Sequence, residues 1–226
     1  MKRIIVTLNT LALAALLFAG CAGNGQSTED QQQTAEAAAT MPDREQIAAA
    51  SFDELFKTIT PEEIPGDVFS LVSKDLTVIT AGTPELYNSM VAGWGGWGVL
   101  FSKPVTFCML RSNRYTLELM RQDTVYTMAY FDEVYRPDYM PFGIQSGRDS
   151  KKMEETKLTA VQTPGGGMAF KEAKLIIECR LLEVTTVSPD DFLTDESRGF
   201  VVDAHAETGE YHKMVFGEVT NVWTKK

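Results

Sequence analysis

The sequence predicts a mainly β domain, folded as a barrel or a sandwich, with a few short helices. Three observations predict it: runs rich in Val, Ile, Thr, Tyr and Phe, their punctuation by Gly, Pro and Asn, and the scarcity of helical patterns. We interpret as strands residues 68–72, 76–80, 87–92, 105–110, 125–131, 173–187 and 211–222. The longest of these runs is typical of a strand that bends as it crosses a barrel.

The helical patterns are few and short. The second of them follows Ser112 and Asn113, either of which is a suitable N-cap, and the first is closed by Pro61 and Pro65. The segments that we interpret as helices are 51–57, 114–121, 150–157 and a single turn at 189–192.

The first residues have the pattern of an export signal. Lys2 and Arg3 precede an apolar run at 4–18, and Ala-Gly then leads directly to Cys21. The apolar run is too short to span a bilayer, so we expect no permanent transmembrane helix. The end of the segment resembles the bacterial lipobox, in which the cysteine is acylated and becomes the new N-terminus. An ordinary signal peptide followed by a chance cysteine is the alternative.

This interpretation divides the chain into three parts. Residues 1–20 are expected to be a lipoprotein signal peptide, and residues 21–50 a lipidated Cys21 followed by a flexible tether. The tether is polar and Ala-rich, and such a composition buries too little apolar surface to offset the entropy of the chain. Residues 51–226 form one domain of ordinary size. We expect an exported protein, lipid-anchored to the cell membrane or the outer membrane.

The charge and the cysteines narrow the possible functions. The formal charge is −10, and it becomes −12 when the two basic residues of the signal are removed, which argues against nucleic acid as a partner. Cys108 and Cys179 lie in apolar runs and are interpreted as buried, inert thiols, although an oxidising compartment would allow a disulfide. His205 and His212 are too few and too isolated in sequence for a metal site.

Motifs for hydrolases, metalloproteases and dinucleotide folds are absent, so no catalytic side chain is predicted. One unusual segment is 87–98, in which four glycines and two tryptophans occupy residues 93–98. Glycine permits a close approach to the backbone, and an indole offers a flat apolar face, so a planar ligand would explain both. A glycine-rich hairpin with tryptophans in the core is the alternative.

Two further segments combine cations, hydroxyls and glycine or cap residues. Residues 111–116 lie where a strand ends and a helix begins, which suits an anion such as phosphate. Residues 146–152 present a hydroxyl and several cations in front of another short helix. Ordinary capping and a solvated surface turn are the respective alternatives.

Read together, these segments resemble the flavin reductase-like family of FMN-binding split barrels, in the branch that includes flavoredoxin. The order and approximate spacing of the matching pieces fit from about residue 66 onwards. The matching pieces are Tyr87-Asn88-Ser89-Met90, Trp94-Gly95-Gly96-Trp97-Gly98, Lys103-Pro104, Arg114-Tyr115-Thr116, Ser146-Gly147-Arg148-Asp149 with Lys152, Leu158-Thr159, Glu172-Ala173, Glu178-Cys179-Arg180, Tyr211-His212-Lys213 and Gly217-Glu218-Val219.

The resemblance implies a mainly β, FMN-binding split β-barrel, FMN as cofactor and a homodimer. It places the residues from Asn88 to Trp94 along the isoalloxazine ring and 114–116 near the ribityl phosphate. It also implies a closing role for the segment 146–152. The residues it assigns to the cofactor are Asn88, Ser89, Met90, Trp94, Gly95, Arg114, Tyr115, Thr116, Ser146, Arg148, Lys152 and His212.

The resemblance further implies an oxidoreductase or an electron carrier, in which the protein positions the flavin and supplies no nucleophile. Most relatives are cytoplasmic, so the export signal leaves the redox partner unknown. Two segments, 163–168 and 190–196, are interpreted as lengthened loops that change access to the flavin. The alternative function is a non-catalytic binding or structural lipoprotein that keeps the split barrel without FMN.

Overall fold

The computed structural model describes residues 43–207 and 209–226. The expected signal peptide, the lipidation site at Cys21 and most of the expected tether lie outside the described residues. Within the described residues, no helix is long and apolar enough to cross a membrane.

A short helix, α1 (Arg44–Ala49), lies within the stretch for which we predicted a tether. The Asp43 side chain caps its first turn. The Lys171 ammonium donates to the carbonyls of Ala48 and Ala50, at 2.6 and 2.7 Å, and so fastens the helix end to the domain. The boundary predicted at residue 51 therefore moves back to at least Asp43.

The predicted helix at 51–57 ends early, as α2 (Phe52–Leu55) with a capping box between Ser51 and Glu54. The chain then enters strand β1 (Phe56–Ile59).

The strand predicted at 68–72 is wrong. These residues begin α3 (Val68–Ser70) and continue into a π-helical turn at Leu71–Asp75. The carboxylate of Asp67 accepts from two backbone N–H groups of the first turn, so local capping overrides the β-type composition.

The barrel strands after β1 are β2 (Thr77–Gly82), β3 (Tyr87–Ala92), β4 (Gly95–Leu100), β5 (Lys103–Leu110), β6 (Val125–Tyr130), β9 (Leu175–Thr186) and β10 (Lys213–Lys225). They form one antiparallel sheet, eight-stranded within the described residues, with the order β3-β2-β6-β9-β10-β5-β4 and β1 paired with β10. A separate hairpin holds β7 (Ala160–Gln162) and β8 (Met168–Phe170). The fold is the mainly β barrel that the sequence predicted.

Sequence reasoning missed two barrel strands: β1, whose first residues were predicted to be helical, and β4, whose glycines have low strand propensity. Strand β4 nevertheless pairs with β5 along its whole length. A side chain at Gly95 would come within 2.5 Å of the Phe107 carbonyl oxygen, so the close approach of β5 requires glycine there.

Helix α4 (Tyr115–Asp123) joins β5 to β6 and confirms the prediction for 114–121, but its N-cap is Arg114 and not Ser112 or Asn113. Helix α5 (Arg136–Ile144) was not predicted, because Pro141 stands inside it.

The other connections are short as well. Helix α6 (Lys152–Glu155) and a 3₁₀ turn at Pro189–Asp191 occupy two predicted helical segments, whereas α7 (Asp195–His205) was not predicted.

The barrel interior contains polar side chains that satisfy one another. The Thr106 hydroxyl lies 3.2 Å from both the Tyr126 hydroxyl and the Cys179 sulfur. Gly217 leaves room for this group, since a Cβ there would lie 2.1 Å from the Tyr126 hydroxyl oxygen. Cys108 and Cys179 are both free and buried, and burial raises the pKa of Cys179 to about 12. The prediction that both cysteines are buried is confirmed, and neither is paired in a disulfide.

The glycine-rich loop 163–168 packs on the buried carboxylate of Glu178. One oxygen of this carboxylate accepts from the Thr163 hydroxyl and, at 3.2 Å, from the Gly167 N–H, and the other accepts from the Asn221 amide at 2.7 Å. A Cβ at Gly165 would lie 1.8 Å from a Glu178 oxygen. The loop therefore packs on a buried carboxylate, which accounts for Gly165 and Gly167, while its predicted effect on flavin access stays a prediction.

Candidate functional site

Most of the predicted site residues meet around one small cavity of about 110 Å³, here called the inner cavity. It lies between β3, the start of α4 and the segment from the end of α5 to α6. The predicted residues that line it are Asn88, Met90, Arg114, Tyr115, Thr116, Ser146 and Lys152.

Strand alternation decides which β3 side chains reach this cavity. Asn88 and Met90 are two residues apart and share one face of the strand, whereas Ser89 points to the other face. The Ser89 hydroxyl is buried against the Thr80 hydroxyl at 2.8 Å. The side chain of Ser89 is therefore a structural contact between β2 and β3, and a contact of Ser89 with a ligand stays a prediction that concerns its backbone alone.

The start of α4 forms a second wall. The N-cap residue Arg114 makes no side-chain capping bond, and the first N–H groups of a helix have no intrahelical partner. The Thr116 hydroxyl is buried and accepts a hydrogen bond from the Asn88 amide nitrogen at 2.8 Å. A helix N-terminus with a hydroxyl thus faces the cavity from this side.

Two buried side-chain polar atoms of the described residues have no hydrogen-bond partner, and both belong to this site. They are the Asn88 Oδ1 and the Arg114 Nε. Leaving such atoms unpaired costs about 1–3 kcal/mol each. The site therefore lacks one donor, for the amide oxygen, and one acceptor, for the guanidinium.

Lys152 is the most deeply buried cation of the site, with 3% of its surface exposed. Its ammonium donates to the carbonyls of Phe142 and Gln145 at 3.0 and 2.9 Å. Burial, and then the charge of Arg114, lower the pKa of Lys152 to about 8, so the amine is still mainly protonated at neutral pH. Neither cation forms an ion pair with a carboxylate in the described part of the chain, which leaves a positive centre inside an acidic protein.

The segment 146–150 closes the inner cavity. A Cβ at Gly147 would lie 1.9 Å from Asn88 Oδ1, so only glycine fits there. The Ser146 hydroxyl accepts from the Arg148 N–H at 3.2 Å, which holds the turn.

The side chain of Arg148 points away from the inner cavity, into a wider neighbouring cleft of about 540 Å³. Its guanidinium lies 2.5 Å from a Glu118 carboxylate oxygen and 4.8 Å from the centre of the Tyr115 ring. Arg148 is thus compensated within the protein, unlike Lys152.

A second cavity of about 240 Å³, the outer cavity, adjoins the inner one and shares Met90 and Arg114 with it. The Trp94 and His212 rings line it with their centres 4.9 Å apart, and 47% of Trp94 is exposed. Burial, His205 and the neighbouring arginines lower the pKa of His212 to about 4. An aromatic surface and a neutral imidazole therefore stand beside the positive inner cavity.

The two tryptophans of the Gly- and Trp-rich segment have different surroundings, one in the core and one at a cavity. Trp97 packs toward the barrel core, with its ring centre 6.0 Å from that of Tyr130, as a structural tryptophan would. Trp94 faces the outer cavity, as a ligand-contacting indole would. Gly95 lies beside Trp94 in an apolar groove of about 400 Å³ next to that cavity.

Several site residues were missed from the sequence. Phe142 and Gln145 hold Lys152 through their backbone carbonyls, and backbone contacts leave no sequence signal. His205 contacts His212, which no pattern indicated. Within the described residues no cluster of His, Cys, Asp and Glu could hold a metal.

Comparison with known proteins agrees with this fold. A structure of an FMN-binding domain of a flavin reductases-like enzyme from Shewanella baltica OS155 is 14% identical, with a TM-score of 0.52, covering 75% of this chain and 76% of that one. An FMN-binding protein from Thermus thermophilus is 16% identical with a TM-score of 0.53, and the match covers 75% of this chain and 82% of that one. Flavoredoxin from Methanosarcina acetivorans is 17% identical with a TM-score of 0.51, and the match covers 74% of this chain and 77% of that one.

These identities are low, so the structural matches bear on the fold alone. The search of curated proteins found no match. The sequence model described as flavin reductase like domain matches residues 69–226, which is most of the chain. The chain belongs to the flavin reductase-like domain family.

Proposed function

We propose that this protein is an FMN-binding flavoprotein that acts as an oxidoreductase or an electron carrier. The observation that carries the proposal is the inner cavity with its two unpaired polar atoms. A phosphate would accept from Arg114 Nε, Lys152 and the first N–H groups of α4, and a ribityl hydroxyl would donate to Asn88 Oδ1. The chemistry of the missing partners thus fits a phosphorylated polyol chain.

The outer cavity is the proposed place of the flavin ring. It adjoins the inner cavity through Met90 and Arg114, and it offers the Trp94 ring as a flat surface. Bound flavin supplies the hydride or electron transfer, and the protein binds and orients it. Relatives described as FMN-binding support FMN, while a fold neighbour from Streptomyces globisporus described as an NADH:FAD oxidoreductase makes FAD the cofactor to compare.

The absorbance spectrum of the purified protein tests this proposal. If the protein is purified with its cofactor, we expect the absorbance bands of bound flavin. If it is purified without it, added FMN should bind, and its fluorescence should be quenched. Thr116→Val should weaken FMN binding, because it removes the buried hydroxyl at the helix start. Colourless protein that ignores FMN would favour the alternative, a binding or structural lipoprotein without the cofactor.

Reductase and carrier are separated by the electron donor. Anaerobic mixing of the flavin-loaded protein with NADH or NADPH bleaches the flavin quickly in a reductase. In a carrier the flavin stays oxidised until a different reductant is supplied.

We also propose that the protein is exported and anchored through an acylated Cys21. The support is the sequence pattern at residues 1–21. Mass spectrometry of membrane-extracted protein should find a lipid-modified cysteine at the mature N-terminus, and Cys21→Ser should release the protein into the soluble fraction. An unmodified N-terminus would refute the anchor.

A homodimer is the proposed assembly. Several large apolar side chains are exposed around the apolar groove and the β4–β5 turn, among them Phe69 at 80% and Phe101 at 84%. Sedimentation velocity should give twice the monomer mass, and Phe69→Glu should reduce it to the monomer mass. A wild-type monomer at micromolar concentration would exclude the dimer.

A further inference from the structure

The two histidines, His205 and His212, contact each other at the wall of the outer cavity. His205 stands in the last turn of α7, and His212 directly precedes β10. Both are buried, with 4% and 8% of their surface exposed, and their ring centres are 4.7 Å apart. A helix that sequence reasoning missed thus adds a second imidazole behind the one that lines the cavity.

The hydrogen bonds around His205 fix its tautomer. Its Nδ1 lies 2.6 Å from the Val201 carbonyl oxygen, which can only accept, so Nδ1 carries the hydrogen. Its Nε2 accepts from the His212 backbone N–H at 3.1 Å and therefore presents a lone pair. His205 is neutral in this arrangement.

The contact with His205 also fixes the tautomer of His212. Its Nδ1 is hydrogen-bonded to His205 Nε2, and two lone pairs would repel each other, so His212 Nδ1 carries the hydrogen. This N–H and the His212 backbone N–H share the one lone pair of His205 Nε2. Its other nitrogen, Nε2, then holds a lone pair and makes no protein hydrogen bond in the described ranges. The charged and titratable groups around this ring are Arg111, Arg114 and His205, and with burial they favour the neutral form of the imidazole.

We infer that His212 presents the Nε2 lone pair to the ligand of the outer cavity as a hydrogen-bond acceptor, and that His205 is the positioning residue that holds it in this tautomer. The inference rests on the proposed function, since the ligand is a flavin, whose ring N–H can donate to Nε2. His205 does not line the inner or the outer cavity, so it acts only through His212.

The pair also determines where an added proton is found. If His212 takes the proton, both of its nitrogens carry hydrogen. If His205 takes it, its Nε2–H donates to His212 Nδ1, and the His212 hydrogen must then sit on Nε2. In either case the cavity-facing nitrogen changes from acceptor to donor.

Long-range ¹H–¹⁵N correlation spectra of histidine-labelled protein test the inference, because they distinguish protonated from unprotonated ring nitrogens. At neutral pH we expect an unprotonated Nε2 and a protonated Nδ1 for His212, and a shift of the Nε2 signal when FMN binds. A protonated Nε2 in the free protein would overturn the positioning role of His205.

Variants separate positioning from packing. His205→Phe keeps a ring but removes the acceptor, so His212 should become a mixture of tautomers and FMN should bind about fivefold more weakly, the worth of one hydrogen bond. His205→Gln retains an acceptor and should restore the wild-type tautomer. Tyr211→Phe, beside the His205 ring at 5.0 Å, is the control and should change neither signal nor affinity.

The outcomes are distinct. Quenched FMN fluorescence with an unmoved His212 Nε2 signal would overturn the contact with the flavin while leaving the proposed function intact. Failure of FMN to bind would overturn the proposed function and the flavin contact with it. An unchanged tautomer in His205→Phe would refute the positioning role in either event.

Discussion

The barrel interior and the inner cavity both contain buried polar side chains, but only one of them is complete without a ligand. In the interior, Thr106, Tyr126 and Cys179 satisfy one another, and the Thr77 hydroxyl donates to Tyr130 at 3.1 Å. In the inner cavity, an amide oxygen and a guanidinium nitrogen have no partner, and a lysine is held only by carbonyls. Since native proteins satisfy nearly all such groups, the difference marks the cavity as a place for a ligand.

The largest effect is expected from the cation of the cavity. Lys152→Met should weaken FMN binding about 100-fold, because a buried partner of the phosphate charge is removed. Lys151→Met is the matched control, since its side chain is 75% exposed, and it should leave the affinity unchanged. Fluorescence titration measures both, and equal losses in the two variants would show that the effect is general electrostatics.

In the barrel, a substitution is expected to lower stability and to leave FMN affinity unchanged. Gly217→Ala should destabilise the protein by about 2 kcal/mol, because the new methyl group meets Tyr126 and Cys179, while the folded protein keeps its FMN affinity. Gly98→Ala, with nothing within 4 Å of the added methyl group, should not destabilise. Urea unfolding measures both variants, and a similar result for the two would contradict the packing assigned to Gly217.

Removing one polar group from each region should change stability in opposite directions. Arg114→Met should raise the stability of the free protein by about 1 kcal/mol, because it deletes an unpaired buried group, and should weaken FMN binding about tenfold. Tyr126→Phe should lower stability by about 1 kcal/mol without affecting FMN. If both variants lost stability equally, Arg114 would have a partner in the free protein.

The smallest effect concerns pH. The pKa of Lys152 is lowered to about 8, so in the free protein the amine loses its charge as the pH rises through that value. FMN affinity should fall roughly fourfold between pH 7 and 8.5, with proton uptake on binding, because only the charged form pairs with the phosphate. Calorimetric titration in buffers of different ionisation enthalpy measures this uptake. It should disappear in Lys152→Met, and its persistence there would assign the proton to another group.

The sequence predicted features that depend on residues close together in the chain better than features that depend on distant ones. The strand at 87–92 and the helix predicted at 114–121 follow from local pattern, and both are confirmed, although the cap of the helix is Arg114. Which face of β3 meets the ligand was not resolved, because alternation gives the parity of Asn88 and Ser89 but not the side on which the cavity lies.

Local sequence patterns did not predict the contacts between segments that are distant in the chain. Helix α5 is hidden by its prolines, yet its end supplies both carbonyls that hold Lys152. The pairing of His205 with His212 depends on how α7 folds back on β10. The family resemblance supplied the cavity residues because their order along the chain carries this tertiary information.

The comparison of FMN with riboflavin tests the central claim most directly. If the inner cavity holds a phosphate, the purified protein should bind FMN at least about 100-fold more tightly than riboflavin, which lacks only that group. Equal affinities for the two flavins would contradict the account, because the unpaired atoms and the buried lysine would then have no part in binding.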